Sequence, residues 1–220
     1  MSRPIAVLRP EPGNRVTASA IEAAGRKAIR LPLFEARPLA WDAPDAAAYD
    51  ALILTSANAM RHGGPNLARL LHLPVYAVGA VTAEAARREG FRIALAGESG
   101  AEQLLARAEA AGVARALHLA GRERSIEAGG IVADVRTVYA SETLPIGAAE
   151  AARLAGSVAI VQSARAGARL AEIAPDRSSI ALVAISRRAA EAAGEGWETV
   201  VASSDFGAKG LIEAAIALAD

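Results

Sequence analysis

An α/β fold built on parallel sheets is predicted by two observations on the sequence. Short apolar runs alternate with alanine-rich stretches of helical period, the pattern of strands covered by helices on both faces. The chain also repeats itself: Thr55-Ser56-Ala57-Asn58-Ala59 returns as Gln162-Ser163-Ala164-Arg165-Ala166, a shift of 107 residues. Ala83-Glu84-Ala85-Ala86 returns at the same shift as Ala190-Glu191-Ala192-Ala193. Gly90-Phe91-Arg92 matches Gly196-Trp197-Glu198 after a one-residue deletion, and Ser99-Gly100-Ala101 matches Phe206-Gly207-Ala208. Two alike domains of about 100 residues each fit a chain of this length. A cleft between such domains is a preferred place to hold a small molecule.

In chain order, the apolar runs predict strands at Ile5–Leu8, Lys27–Leu31, Ala51–Thr55, Val75–Val78, Ala116–Leu119, Val135–Tyr139, Val158–Gln162, Ile180–Ile185 and Thr199–Ala202. Each is short and bounded by polar, Gly or Pro residues, as buried parallel strands are. The alanine-rich stretches predict helices at Val16–Ala24, Val81–Glu89, Ala101–Ala111, Ala164–Ile173, Ala189–Ala193 and Ala208–Leu218. The strand–helix–strand unit before Pro32 lies outside the repeat, and its counterpart is the stretch from Arg115 to Tyr139 that ends the first repeat. A complete sheet for each domain therefore predicts a discontinuous arrangement. Residues 1–34 join 145–220, residues 39–139 are inserted, and the chain crosses at 35–38 and 140–144. The alternative is a simple split near residue 140.

Composition narrows the functional classes. The chain has 24 basic and 24 acidic residues, so no global field gathers nucleic acid or an anionic membrane. It has no cysteine, which excludes disulfides, thiolate metal sites and cysteine nucleophiles. No apolar run approaches the ~20 residues of a membrane span, and Met1-Ser2-Arg3-Pro4 leads into a strand rather than a signal-peptide core. A cytoplasmic protein with a small-molecule partner, no nucleic acid and no membrane is the expectation. His62, His72 and His118 show no metal-ligand spacing, and the phosphate-binding glycine loops and the G-x-S-x-G elbow are absent.

An ordered set of segments then resembles a known family. Arg9-Pro10, Leu31-Pro32-Leu33-Phe34, Leu54-Thr55-Ser56-Ala57-Asn58-Ala59, Val75 through Ala83, Gly121-Arg122-Glu123-Arg124 and Val138-Tyr139 are similar to the landmarks of uroporphyrinogen-III synthases. The resemblance covers almost the whole chain. It implies two flavodoxin-like α/β domains joined by a two-stranded connector, with the ligand cleft between them and the N-terminal segment returning to the C-terminal domain. It also implies a reaction. Linear hydroxymethylbilane loses hydroxide and closes with its last pyrrole ring inverted, with no metal or organic cofactor. A monomer is expected, with a possible transient contact to the preceding pathway enzyme. A non-catalytic two-lobed binding or sensor protein for a polyanionic small molecule is the alternative.

A substrate with eight carboxylates needs many donors from a neutral chain, and helix N-termini at strand carboxyl ends supply them. The turns at Ser56 and Asn58, at Gly79 and Thr82, at Ser163 and Arg165, and at Ser186 and Arg187 are the candidates. Ser56, Thr82 and Ser163 serve either as ligand donors or as ordinary N-caps. Gly79 gives close backbone approach or a plain turn. Arg9, Arg122 and Arg124 are able to clamp carboxylates or to sit in solvent. By resemblance, Tyr139 matches the family's proposed proton donor and Thr82 a recurring threonine of the first half. Two departures stand out: the segment 125–134 is short and carries Gly129-Gly130, so that its helix is truncated or absent, and Ser186-Arg187-Arg188-Ala189 replaces a turn that usually starts with glycine and ends with threonine.

Overall fold

A computed structural model describes residues 2–97, 100–202 and 207–220. The match of Ser99 to Phe206 within the repeat lies outside the described residues. In chain order the elements are β1 (Ile5–Val7), α1 (Gly13–Ala23), β2 (Ala28–Arg30), β3 (Phe34–Pro38), β4 (Ala51–Leu54), α2 (Asn58–His62), β5 (Val75–Val78), α3 (Ala80–Arg88), β6 (Ile93–Gly97), α4 (Ala101–Ala110), β7 (Ala116–Gly121) and β8 (Val132–Thr143). There follow α5 (Ala148–Ala152), β9 (Val158–Val161), α6 (Ala164–Ile173), β10 (Ala181–Ala184), α7 (Arg187–Ala193), β11 (Thr199–Ala202) and α8 (Ala208–Ala219). The fold is α/β. Contacts group the chain into two compact units, residues 1–35 with 143–220 and residues 36–142.

The first unit holds a five-stranded sheet in the order β11-β10-β9-β1-β2, with parallel pairings throughout. Counted along the unit's own chain this is 2-1-3-4-5, the flavodoxin order. Strand alternation divides the side chains between two cores. Ile5, Val7, Val158, Ile160 and Val183 meet Ala18 and Ile21 of α1 and Leu211 and Ala215 of α8 on one face. Ala6, Leu8, Ala159, Val161 and Leu182 meet Leu170 of α6 and Ala189 and Ala193 of α7 on the other. Because both faces are covered, these strands read as unbroken apolar runs.

The second unit holds a six-stranded sheet, β3-β8-β7-β4-β5-β6. Leu52, Leu54, Leu117 and Leu119 face Met60 of α2 and Ala83 and Ala86 of α3. Ala51, Ile53 and Ala116 face Leu104 and Ala108 of α4 together with Ile126. If β4, β5, β6, β7 and β8 are matched with β9, β10, β11, β1 and β2, the two sheets have the same spatial order. The repeat is thus one arrangement of strands entered at two different points of the chain. The connection from β7 to β8 contains turns and no helix, with Ile126 filling the place where a helix would pack.

Three parts of the strand reading needed correction. Phe34–Pro38 and Ile93–Gly97 are strands, and β8 spans 132–143 rather than 135–139. The stretch after Phe34 is therefore part of a sheet, with the Leu39 N–H donating to the Val138 carbonyl at 3.0 Å.

Gly167 sets the spacing of α6 and α7, because a Cβ there would stand 2.4 Å from the Ala189 carbonyl oxygen and 3.1 Å from the Ala193 nitrogen. Both neighbours are backbone and cannot rotate away. Gly167→Ala is expected to cost about 1–3 kcal/mol by overpacking, read as a lower urea midpoint with unchanged m-value. An unchanged midpoint would mean that the two helices part freely.

Candidate functional site

In each unit the connections change faces at one point in the sheet, and the carboxyl ends of the strands flanking that point form a crevice. In the first unit the point lies between β1 and β9, since α1 and α6 follow them on opposite faces. A pocket of about 360 Å³ opens there. Leu8, Phe34, Ala166 and Ile185 give it an apolar side, and Arg9, Gln162 and Ser163 a polar one. Ser163 caps α6, its Oγ accepting from the Ala166 N–H at 3.1 Å. Arg165 lies over the Phe34 ring, 4.3 Å from its centroid. The Arg9 side chain has no hydrogen-bond or ion-pair partner among the described residues.

One strand further on, Ser186 caps α7 by accepting from the Ala189 N–H at 3.2 Å. Arg187 and Arg188 are both exposed, and neither side chain has a partner among the described residues. Ala189 is buried, so its methyl faces the core.

In the second unit the connections change faces between β4 and β7, with α2 following β4 on one face and the helix-free segment of Ile126 following β7 on the other. Ser56 acts as a short turn rather than as the helix cap, since its Oγ accepts from the Asn58 N–H and the cap position of α2 is Ala57. Asn58 Oδ1 accepts from Arg61 Nη1 at 3.0 Å. Gly79 has φ 78° and ψ 152°, a conformation that only glycine adopts without strain, and no side chain caps the start of α3. Thr82 turns inward and is 5% exposed. Val81 is 68% exposed and, with Met60, Arg61 and Ala85, lines a pocket of about 470 Å³ between α2 and α3.

Tyr139 stands on β8 with its ring across Gly121, where a Cβ would lie 2.7 Å from the phenol Cζ. The His62 ring is 6.1 Å away, centroid to centroid. Among the described residues the Tyr139 hydroxyl has no hydrogen-bond partner. Burial, with the Arg61 charge adding to it, lowers the His62 pKa, so the imidazole beside Tyr139 favours its neutral form. Arg122 pairs with Glu142 at 3.0 Å, and Arg124 is held by Glu127 and Thr137.

The structure thus gathers Arg9 and Ser163 into one pocket, with Arg165 stacked on its Phe34 wall. Phe34 was missed as a lining residue because its strand is short and ends in Pro. Among the described residues no group of three or more His, Asp or Glu side chains is placed to hold a metal ion.

Two doubly wound sheets, each with polar turns at the carboxyl ends of its strands, define the class: a two-domain α/β protein. The family model described as uroporphyrinogen-III synthase HemD matches residues 15–213, and the chain belongs to the uroporphyrinogen-III synthase family. The solved uroporphyrinogen-III synthetase of Helicobacter pylori 26695 is similar in fold, with a TM-score of 0.68 at 18% identity over 99% of this chain and 100% of that one. A mutant uroporphyrinogen III synthase of the extremely thermophilic bacterium Thermus thermophilus aligns over 97% of each chain at 14% identity, with a TM-score of 0.49. Comparison with curated proteins finds no match.

His118 on β7 is fully buried, with Nε2 3.3 Å from the Thr55 hydroxyl. Burial pushes its pKa down to about 4 and the Arg124 charge acts in the same direction, while the Ile126 backbone and Glu127 oppose them. Unfolded, the imidazole takes its proton near pH 6.5. The stability that neutral His118 contributes is therefore complete above pH 6.5 and is lost as pH falls towards 4, by about 3 kcal/mol in all. Urea unfolding at pH 7 and pH 5 should show this slope in the native protein and a flatter one in His118→Leu. Equal slopes would assign the acid sensitivity to other groups.

Proposed function

We propose that this chain converts hydroxymethylbilane to uroporphyrinogen III, closing the ring with inversion of the last pyrrole and loss of water. The observation that carries the reading is the family match over residues 15–213. The chemistry of the turns agrees with it. Carboxylates are met by backbone N–H groups of α3, which has no side-chain cap, and of α6, where Ser163 takes only one of the free donors. Arg9, Ser186 and Arg187 add side-chain donors in the first unit, and Ser56 and Asn58 polar groups in the second.

Tyr139 is the proton donor in this proposal. Hydroxide is a poor leaving group, and a phenol at hydrogen-bond distance lets it depart as water when the C–O bond breaks. The pyrrole nitrogen stabilises the cation left behind. A proton lost from carbon after ring closure then restores the phenol. Neutral His62 shapes the other side of the ring without competing as the acid. Because the cation forms readily, holding the two ends of the substrate together supplies more of the rate than the proton does. The enzyme acts as a monomer in the cytoplasm, taking its unstable substrate soon after release by the preceding pathway enzyme.

Incubation with freshly made hydroxymethylbilane, followed by oxidation and separation of the porphyrin isomers, tests the reading. Isomer III is expected; isomer I alone would mean spontaneous closure and a protein that only binds. Tyr139→Phe is expected to lower the rate roughly ten- to a hundredfold with the fold intact, at or below the lower range of general acid catalysis. Full turnover in that variant would move the proton donor to water or to a substrate carboxylate.

A further inference from the structure

Gly13 opens α1 in an ordinary backbone conformation, unlike the glycines of this chain whose φ is positive. Its lack of a side chain leaves room for the Arg9 head. A Cβ on residue 13 would lie 2.4 Å from Arg9 Nε, 2.6 Å from Cζ and 2.7 Å from Nη2, so the guanidinium occupies the place of a methyl group. The backbone from which Arg9 springs is also fixed. Asn14, wholly buried, donates through Nδ2 to the carbonyls of Val7 at 2.7 Å and Arg9 at 3.0 Å. Its Oδ1 accepts from Arg30 Nε at 3.2 Å, and Arg30 is in turn paired with Glu11. A cation whose root is fixed and whose head lies over Gly13, lining a pocket with an apolar side and without a partner among the described residues, suits a ligand that carries a carboxylate on a flat ring.

We propose that Gly13 is a positioning residue that seats the Arg9 guanidinium at the β1–β9 crevice, where it takes a carboxylate of a ligand whose ring rests against Leu8, Phe34 and Ile185. The ligand's identity rests on the tetrapyrrole reading above. Gly13→Ala would push the guanidinium off its seat while favouring α1, since alanine is the better helix former. The substitution therefore separates positioning from stability.

The test is a double-mutant cycle of Gly13→Ala and Arg9→Ala, read by KM and kcat on fresh hydroxymethylbilane, by the fluorescence titration of uroporphyrin, and by thermal unfolding. Gly13→Ala is expected to raise KM and weaken uroporphyrin binding about tenfold, the scale of one hydrogen bond to a charged group. Its kcat should stay within about twofold, and its unfolding midpoint should be equal to or above that of the unaltered protein. In the Arg9→Ala background the same substitution should have no effect. An unchanged KM in Gly13→Ala, or an equal loss with and without Arg9, overturns the inference alone. Isomer I alone from the unaltered protein overturns the functional reading and the ligand named here with it.

Discussion

The parallel ladder that sets Ile5, Ala6 and Val7 beside Val158, Ala159 and Ile160 is the constraint on which the first unit depends. It joins segments some 150 residues apart in sequence, and these residues are almost wholly buried. Without it, Ala6 and Leu8 lose their place in one core and Ile5 and Val7 in the other. The same ladder fixes the crevice. Arg9 follows β1 and Ser163 follows β9, so pairing these strands brings a cation and a capped helix start to the same opening.

The second unit reaches the same geometry by a different route through the chain. There β4 and β7 flank the change of face, and the positions matching β1 and β2 come last instead of first. Equivalent geometry does not carry equivalent donors. In the first unit the starts of α6 and α7 are capped by serine hydroxyls. In the second, α3 begins at Gly79, which has no side chain to cap its N–H groups, and Thr82 in its first turn is buried. Arg122 already has a carboxylate partner in Glu142, whereas Arg9 has none among the described residues, so the matching openings differ in how their arginines are paired.

The central strands were readable because a strand buried on both faces is apolar at every position, as Ala51–Leu54 and Val158–Val161 are. The edges were not. Phe34–Pro38 carries Glu, Arg and Pro on an exposed border, and Ile93–Gly97 alternates larger residues with alanine, which is apolar too and so leaves the period of two without polar contrast. The short helix α2 is cut off by Gly63-Gly64-Pro65, leaving too few residues to show a periodicity. At the site, the serine turns could be read because a hydroxyl before an alanine-rich helix announces its own role. Gly13 and Asn14 could not. Their roles depend on where Arg9 folds back and on which carbonyls end β1, and neither follows from local sequence.

The placement of residues 36–142 inside the first unit has a consequence for biosynthesis. The inserted unit is contiguous, so all its strands are made before β9, while β1, α1 and β2 must wait for β9 to leave the ribosome. At 5–20 residues per second that wait is of the order of ten seconds. Because β3 and β8 lie side by side, the insert once folded holds its two ends together. A floppy tether of about a hundred residues then becomes a short one, and the entropy of joining β1 to β9 falls accordingly. An insertion with adjacent ends therefore lowers the cost of closing the split unit across it.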